Sequence, residues 1–447
     1  MADSRRIPVV CGVDIGTTNA KVVALDAAGN VVARASRPTP RDADGLWIDA
    51  TALFDAIEEM VVQACGHRYE VHAICAAGVG EDGVLVDAEL RPLTKALAWF
   101  DPRRQSIFRS LRPDLHDDES FDSDSDPVRT LAGWKWSRTR VAAGTARSWV
   151  ALADVVGVLW TGRPFISDTL ASRTGAWRSS NRAWAHDRVE LTLGSTDLLP
   201  PVLPTGDVIG PLVSPALGQA GVLATDAIAV AGGHDHPIGG WGVEQMVPGA
   251  VLDSMGTAEV VVAQSPIAAI ARRNHVDVAP GIRSGGTTLL RVEELARNVE
   301  WASQDPTVAQ CIRDLLNGSV TPEPVLDAGY FNPGQRGGGR PSYSLDAPSD
   351  PRARASAVLG ALAHGGRDAI TAVREGLVDG GDVRLAGGWV RSPGWVDIKT
   401  EVNGFRTVAI LEPEVTAVGA AMLAAQARGW TLDPSVALSG NAATGDQ

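Results

Sequence analysis

Short apolar runs of strand length open the chain. Val9 to Ile15, Lys21 to Asp26 and Val31 to Ser36 are rich in Val and are separated by Gly16-Thr17-Thr18 and Ala28-Gly29-Asn30. Runs of this kind, bounded by turn residues, predict three antiparallel strands in a meander. From Ala52 to Ala64 the apolar positions Leu53, Ile57, Met60, Val61 and Ala64 recur at helical spacing, and Val71 to Ala77 has the pattern of a buried strand. The order β, β, β, α, β then passes into further alternation, which predicts an α/β layer architecture with helices on a mixed sheet. In the second half, Ala353 to Arg374 and Val415 to Ala427 have helical patterns, and the latter is rich enough in Ala and Gly for close packing. Two stretches break the periodicity. His116 to Pro127, dense in Asp and Ser, reads as a surface loop; Gly329 to Pro351, dense in Gly and Pro, reads as a long irregular segment of the kind that carries function. No internal repeat is visible.

The length of 447 residues exceeds one ordinary hydrophobic core, so two domains of similar size with a cleft between them are expected. A net charge of -13 without a basic tract argues against nucleic acid or an anionic membrane as partner. Cys11, Cys65, Cys75 and Cys311 are scattered, with none of the paired spacing of a zinc or redox site. No signal core and no apolar run of about 20 residues is seen. A cytoplasmic protein with reduced thiols is the expectation.

Candidate chemistry begins at Asp14-Ile15-Gly16-Thr17-Thr18-Asn19-Ala20-Lys21, the turn between the first two predicted strands. Gly16 allows close approach of a ligand, and the amides and hydroxyls of Thr17 and Thr18 can donate to phosphate oxygens. Lys21 can offset charge and Asp14 can help hold Mg²⁺. An ordinary hairpin turn, with its Thr side chains capping backbone groups, accounts for this segment equally well by itself. No P-loop pattern occurs. Gly78-Val79-Gly80-Glu81-Asp82-Gly83 matches the dinucleotide fingerprint, but Val84 to Asp87 after it reads as a strand where that fingerprint needs a helix N-terminus.

The hairpin, Trp99-Phe100-Asp101-Pro102-Arg103, Gly232-Gly233-His234-Asp235, Ser254-Met255-Gly256-Thr257 and Gly387-Gly388 occur in that order along nearly the whole chain. Together they resemble the FGGY family of carbohydrate kinases. The resemblance implies an α/β fold of two actin-like (ribonuclease H-like) domains with an interdomain cleft, divided as 1–244, 245–434 and a tail at 435–447. It implies ATP and Mg²⁺ as cofactors and phosphorylation of a hydroxyl on a pentulose, hexulose or linear polyol. Asp235 is then the implied general base, with His234 beside it at the substrate. Asp14, Gly16, Thr17, Thr18 and Lys21 form the first nucleotide loop, with Asp14 toward Mg²⁺ directly or through water; Gly256 and Thr257 form the second. Gly387, Gly388 and Trp389 fall at the adenine, although Trp389 stands where the family has a third glycine. Glu81, Trp99, Asp101 and Arg103 are the implied sugar contacts. Asp101 and Arg103 are also readable as a plain ion pair. A homodimer is compatible with the resemblance.

Two other functions stay open at this level. His234-Asp235-His236 has the make-up of a metal-hydrolase cluster, without further ligands at a recognisable spacing. The departure at Trp389 fits a nucleotide or sugar sensor that has lost turnover.

Overall fold

A computed structural model describes residues 6–116, 118–121, 129–273, 275–334 and 339–440. Most of the acidic loop expected at His116 to Pro127, the middle of the irregular segment after Gly329, and the end of the 435–447 tail lie outside the described residues.

The opening meander forms as its pattern predicts, with strands Ile7–Ile15 (β1), Asn19–Asp26 (β2) and Val31–Pro38 (β3). Helix Ala50–Cys65 (α1) follows, its first amides capped by the Asp49 side chain, and buries Leu53, Ile57, Met60 and Val61 on the sheet. Strand Tyr69–Gly78 (β4) then pairs parallel to β1. Strand Gly83–Val86 (β5) comes next, so the Gly78 to Gly83 segment joins two strands and presents no helix N-terminus. Helix Arg103–Leu111 (α2) begins a side layer that includes a cluster of Trp134, Trp149, Trp177 and Trp184. Strands Val208–Pro211 (β6) and Leu223–His234 (β7) complete a six-stranded sheet of order β6-β7-β4-β1-β2-β3.

Helix Asp235–Met246 (α3) leads to a second six-stranded sheet. Its strands are Val251–Met255 (β8), Ala258–Ser265 (β9), Asp277–Pro280 (β10), Thr287–Glu294 (β11) and, after helix Pro351–Arg374 (α4), Val383–Ala386 (β12). Helix Pro393–Asn403 (α5) precedes the last strand, Val408–Ala409 (β13), and helix Val415–Ala427 (α6) follows it. The order is β10-β11-β9-β8-β12-β13.

The two sheets repeat one plan. In each, an antiparallel trio (β1-β2-β3; β8-β9-β11) is extended on the side of its first strand by two parallel strands (β4, β7; β12, β13). A long helix lies between the third and fourth strands of each set, and α3 and α6 follow the two fifth strands. These last two helices pack against each other between the sheets, in a core that mixes Val10, Cys75 and Leu252 with Ala417 and Ala421. The Ala and Gly of α6 serve this contact: a β-carbon on Gly12 of β1 would fall 1.8 Å from the Ala417 carbonyl oxygen, and one on Gly419 would fall 2.7 Å from that of Ile238. Helix α6 therefore rests on the first sheet although its chain neighbours belong to the second. Among the described residues no helix is long and apolar enough to cross a membrane.

Candidate active site

The β1–β2 hairpin is held from behind. Thr39 donates its hydroxyl to the Gly16 carbonyl at 2.8 Å and its amide to the Thr18 carbonyl at 2.9 Å, and Arg41 Nε donates to the Thr17 carbonyl at 3.0 Å. With those carbonyls satisfied by the strand behind, Gly16, Thr17 and Thr18 line a cleft of 300 Å³ between the two sheets. Trp99 Nε1 donates to Thr17 Oγ1 at 2.9 Å, which orients that hydroxyl. Lys21 pairs with Glu414 at 2.5 Å and lies 3.9 Å from Asp14. Burial pushes the Asp14 carboxyl up to about 7; Lys21 opposes the shift, and Asp235 and Glu414 add to it.

The topological equivalent of that hairpin in the second lobe, the β8–β9 turn, brings Ser254, Gly256 and Thr257 to the same cleft. Its base is a buried triad. Lys399 of α5 reaches Asp253 at 2.9 Å and also bonds Glu259, so the residues flanking the turn share one ammonium. Gly387, at the end of β12, has φ +89° and would place a β-carbon 2.2 Å from the Met255 carbonyl oxygen, so glycine is needed for the loops to approach. Trp389 donates its indole N–H to the Gly256 carbonyl at 3.0 Å and stands edge-on to Trp395 at 5.5 Å. It is a strut between the two loops of this lobe.

Asp235 is the first residue of α3, at the C-terminal end of β7, and its side chain faces the same cleft. Its Oδ1 accepts the His236 amide at 2.7 Å and lies 3.3 Å from His234 Nε2. Desolvation pushes this carboxyl up to about 7, the His236 amide bond and Arg173 pull it down, and Glu81 raises it further. Among the described residues no group of three His, Cys, Asp or Glu could hold a metal, so His234-Asp235-His236 gains no further ligand.

The implied sugar contacts divide. Glu81 and Trp99 line the cleft. Asp101 is buried and accepts the Arg103 amide at 2.8 Å and its Nε at 2.9 Å, while the Arg103 guanidinium covers the Trp47 ring at 5.1 Å. Asp101 and Arg103 thus form an ion pair at the start of α2, and neither is among the residues that line the cleft. Of the residues the resemblance implies for the nucleotide, Gly16, Thr17, Thr18, Lys21, Gly256, Thr257 and Gly387 line the cleft; Asp14, Gly388 and Trp389 are not part of its lining.

Arg173 was not singled out by the sequence pattern. It lines the cleft, donates its Nε to Glu81 at 3.0 Å and its Nη1 to Asp277 at 2.7 Å, partners 92 and 104 residues distant in the chain. No local spacing signals such contacts. A β-carbon on Gly80 would fall 2.7 Å from Arg173 Cγ, so the glycine of the dinucleotide-like pattern makes room for this side chain.

Two lobes of one topology, hairpin loops facing across a cleft and a carboxylate at a helix start define a sugar-kinase type of actin-like fold. A ligand-bound xylulose kinase from Lactobacillus acidophilus superposes with a TM-score of 0.81 at 19% identity, covering 96% of this chain and 91% of that one. A gluconate kinase from the same organism gives 0.81 at 18%, covering 96% and 91%. The sequence profile of the FGGY family of carbohydrate kinases, N-terminal domain, matches residues 9–242, and the chain belongs to that family. A xylulose kinase from Staphylococcus epidermidis is 24% identical, with 94% of this chain and 88% of that protein aligned.

Proposed function

We propose that the protein transfers the γ-phosphoryl group of Mg-ATP to a hydroxyl of a small sugar or polyol, with Asp235 as general base. The observation that carries this reading is the meeting, in one cleft, of two equivalent hairpin loops from opposite lobes with a single carboxylate at a helix start. Phosphoryl transfer asks little covalent chemistry of a protein: it needs alignment of the attacking oxygen, donors for the phosphate oxygens and exclusion of water. Amides and hydroxyls of Thr17, Thr18 and Thr257 donate to the phosphates, while the amides of Gly16 and Gly256 close their own turns on the carbonyls of Asn19 and Ala258 at 3.1 and 2.9 Å. Asp235 accepts the hydroxyl proton as that oxygen bonds to phosphorus and the bond to ADP breaks; the proton leaves to solvent afterwards. Lys21 offsets charge at the first loop.

Hard carboxylate oxygens suit Mg²⁺, and Asp14 is the residue to hold it directly or through water, the ion taking the place of the proton that withdrawal from water and Asp235 favour on this carboxyl. When bound, the ion offsets the phosphate charge. Gly387 and Gly388 form the adenine side, with Trp389 bracing them against the second phosphate loop. We place the lobe boundary in the last turn of α3, with 1–244 and 245–434 as the moving parts and α6 as the shared packing element between them.

The test is ADP release with Mg-ATP across pentuloses, hexuloses, sugar acids and linear polyols, with the phosphorylated product identified. Strong release with one class is expected. Nucleotide binding without release for any acceptor would replace the kinase with a sensor of the same fold.

A further inference from the structure

One wall of the cleft is braced by a side chain that does not line it. Arg104, in the first turn of α2, is 1% exposed, and its guanidinium donates to three separate stretches of chain. Nη2 reaches the Glu81 carbonyl at 3.2 Å, the Asp82 carboxylate at 3.1 Å and the Leu97 carbonyl at 2.6 Å. Nε reaches the Ala98 carbonyl at 2.9 Å, and Nη1 the Arg129 carbonyl at 3.2 Å. Glu81 and Trp99, the residue after Ala98, both line the cleft, and Arg129 sends its side chain to Asp277 of the second lobe at 2.7 Å. Glu81 is thus held from two sides, its carbonyl by Arg104 and its carboxylate by Arg173 Nε at 3.0 Å. Gly133 makes room for the fork: a β-carbon there would fall 3.3 Å from Nη2.

Stability alone does not account for a buried charge pair, because its exchange for well-packed apolar side chains is often neutral or stabilising. An apolar side chain at position 104 would also leave those carbonyls without this donor. Arginine supplies five N–H groups in one rigid plane, enough to hold several carbonyls at fixed relative positions. We propose that Arg104 is a positioning residue for the acceptor: its buried fork fixes the backbone at Glu81, before Trp99 and at Arg129, and so sets the two side chains that face the acceptor and the arginine that meets the second lobe. The inference rests on the phosphotransfer reading and concerns the acceptor side of that site. Trp99 touches the first phosphate loop at the Thr17 hydroxyl, but the backbone of that loop has its own braces in Thr39 and Arg41, and the second loop has the Lys399 triad. Nucleotide binding therefore does not depend on Arg104.

The test compares the wild type with Arg104→Lys and with the double variant Arg104→Met/Asp82→Asn, each well below its unfolding temperature. Lysine keeps the charge beside Asp82 but has one donor atom in place of the fork. The double variant removes both charges, so that no unpaired carboxylate is left in the core. The acceptor is the one of D-ribulose, D-fructose, D-galactonate and D-arabitol that gives most ADP with the wild type. In both variants its kcat/KM should fall about 10 to 100-fold, the cost of misplacing a bound reactant by about 1 Å, while the dissociation constant of Mg-ADP is unchanged. Amide hydrogen exchange of the protein without ligands gives a second readout: peptides covering 79–83, 96–101 and 129–133 should exchange faster in the variants, and the turn at 254–258 should not. Wild-type kcat/KM for the acceptor in either variant overturns the proposal. So does a loss of Mg-ADP affinity in step with the acceptor effect, or exchange raised alike along the whole chain, since either marks a merely structural role. If the wild type phosphorylates none of the four compounds, the kinase reading falls, and the exchange pattern decides on the brace by itself: faster exchange confined to the three stretches upholds it, and unchanged or general exchange overturns it.

Discussion

Asp235 can act as a base only when ionised, and its withdrawal from water, with Glu81 close by, raises its pKa to about 7. The kcat/KM profile should therefore rise with pH and level off above about 7, far from the value near 4 of an exposed aspartate. A pH series at limiting acceptor measures this, and a limb near 4 would remove the environment described for Asp235. Lys399 makes the opposite kind of test. Burial works against its charge, yet Asp253 and Glu259 hold its pKa above the usual lysine value, while Glu259 itself is pushed up to about 8, chiefly by burial. Lys399→Met leaves two buried carboxylates without their cation, and thermal or denaturant unfolding should show a loss of about 3–5 kcal/mol. A neutral result would mean that the second hairpin does not depend on its triad.

At the scale of elements, α6 carries the packing between the lobes. The close approach of the Ala417 carbonyl to Gly12 leaves no room for a side chain, so Gly12→Val should force the helix off β1. Loss of at least about 2 kcal/mol in urea unfolding is expected, together with reduced activity from a disturbed cleft. Much of this level was legible. The meander β1 to β3, helix α1, strand β4 and the bounds of α4 and α6 follow the pattern of the chain within a few residues, because the strands are short apolar runs ended by turn residues and the helices are longer apolar-rich stretches. Small residues in α6 announced close packing, though the sequence alone did not say against what. The repeat of one sheet plan in both lobes was implied by the family resemblance to two actin-like domains and left no visible internal repeat in the chain, because topology can recur without any recurrence of side chains. At the site, the loops at Gly16 to Thr18 and Gly256 to Thr257 were legible because glycine and threonine at hairpin turns have a local signature. Arg173 and Asp277 were not, because their roles arise from partners about a hundred residues apart. Asp101 and Arg103 showed the reverse: a motif in the chain whose members the fold spends on each other.

For the whole molecule, the raised carboxyls set a pH dependence of stability. Asp14, Asp82, Asp154 and Asp235 are each pushed up to about 7, first by burial. Between about pH 4 and 7 the folded protein keeps protons that the unfolded chain has released, so stability falls as pH rises through that window. Tm followed from pH 5 to 8 in the absence of Mg²⁺ and nucleotide should decline, and a rise over that range would contradict the burial of these groups. The fold brings two hairpins, one from each lobe, to the cleft that Asp235 faces, and the proposed catalysis rests on that meeting. The most direct measurement is Mg-ATP-dependent phosphorylation of the preferred acceptor by wild type and by Asp235→Asn, with nucleotide affinity measured alongside. The account predicts that turnover falls by about 10² to 10⁴-fold in the variant while nucleotide affinity stays near that of the wild type. Turnover unchanged by the substitution would contradict it.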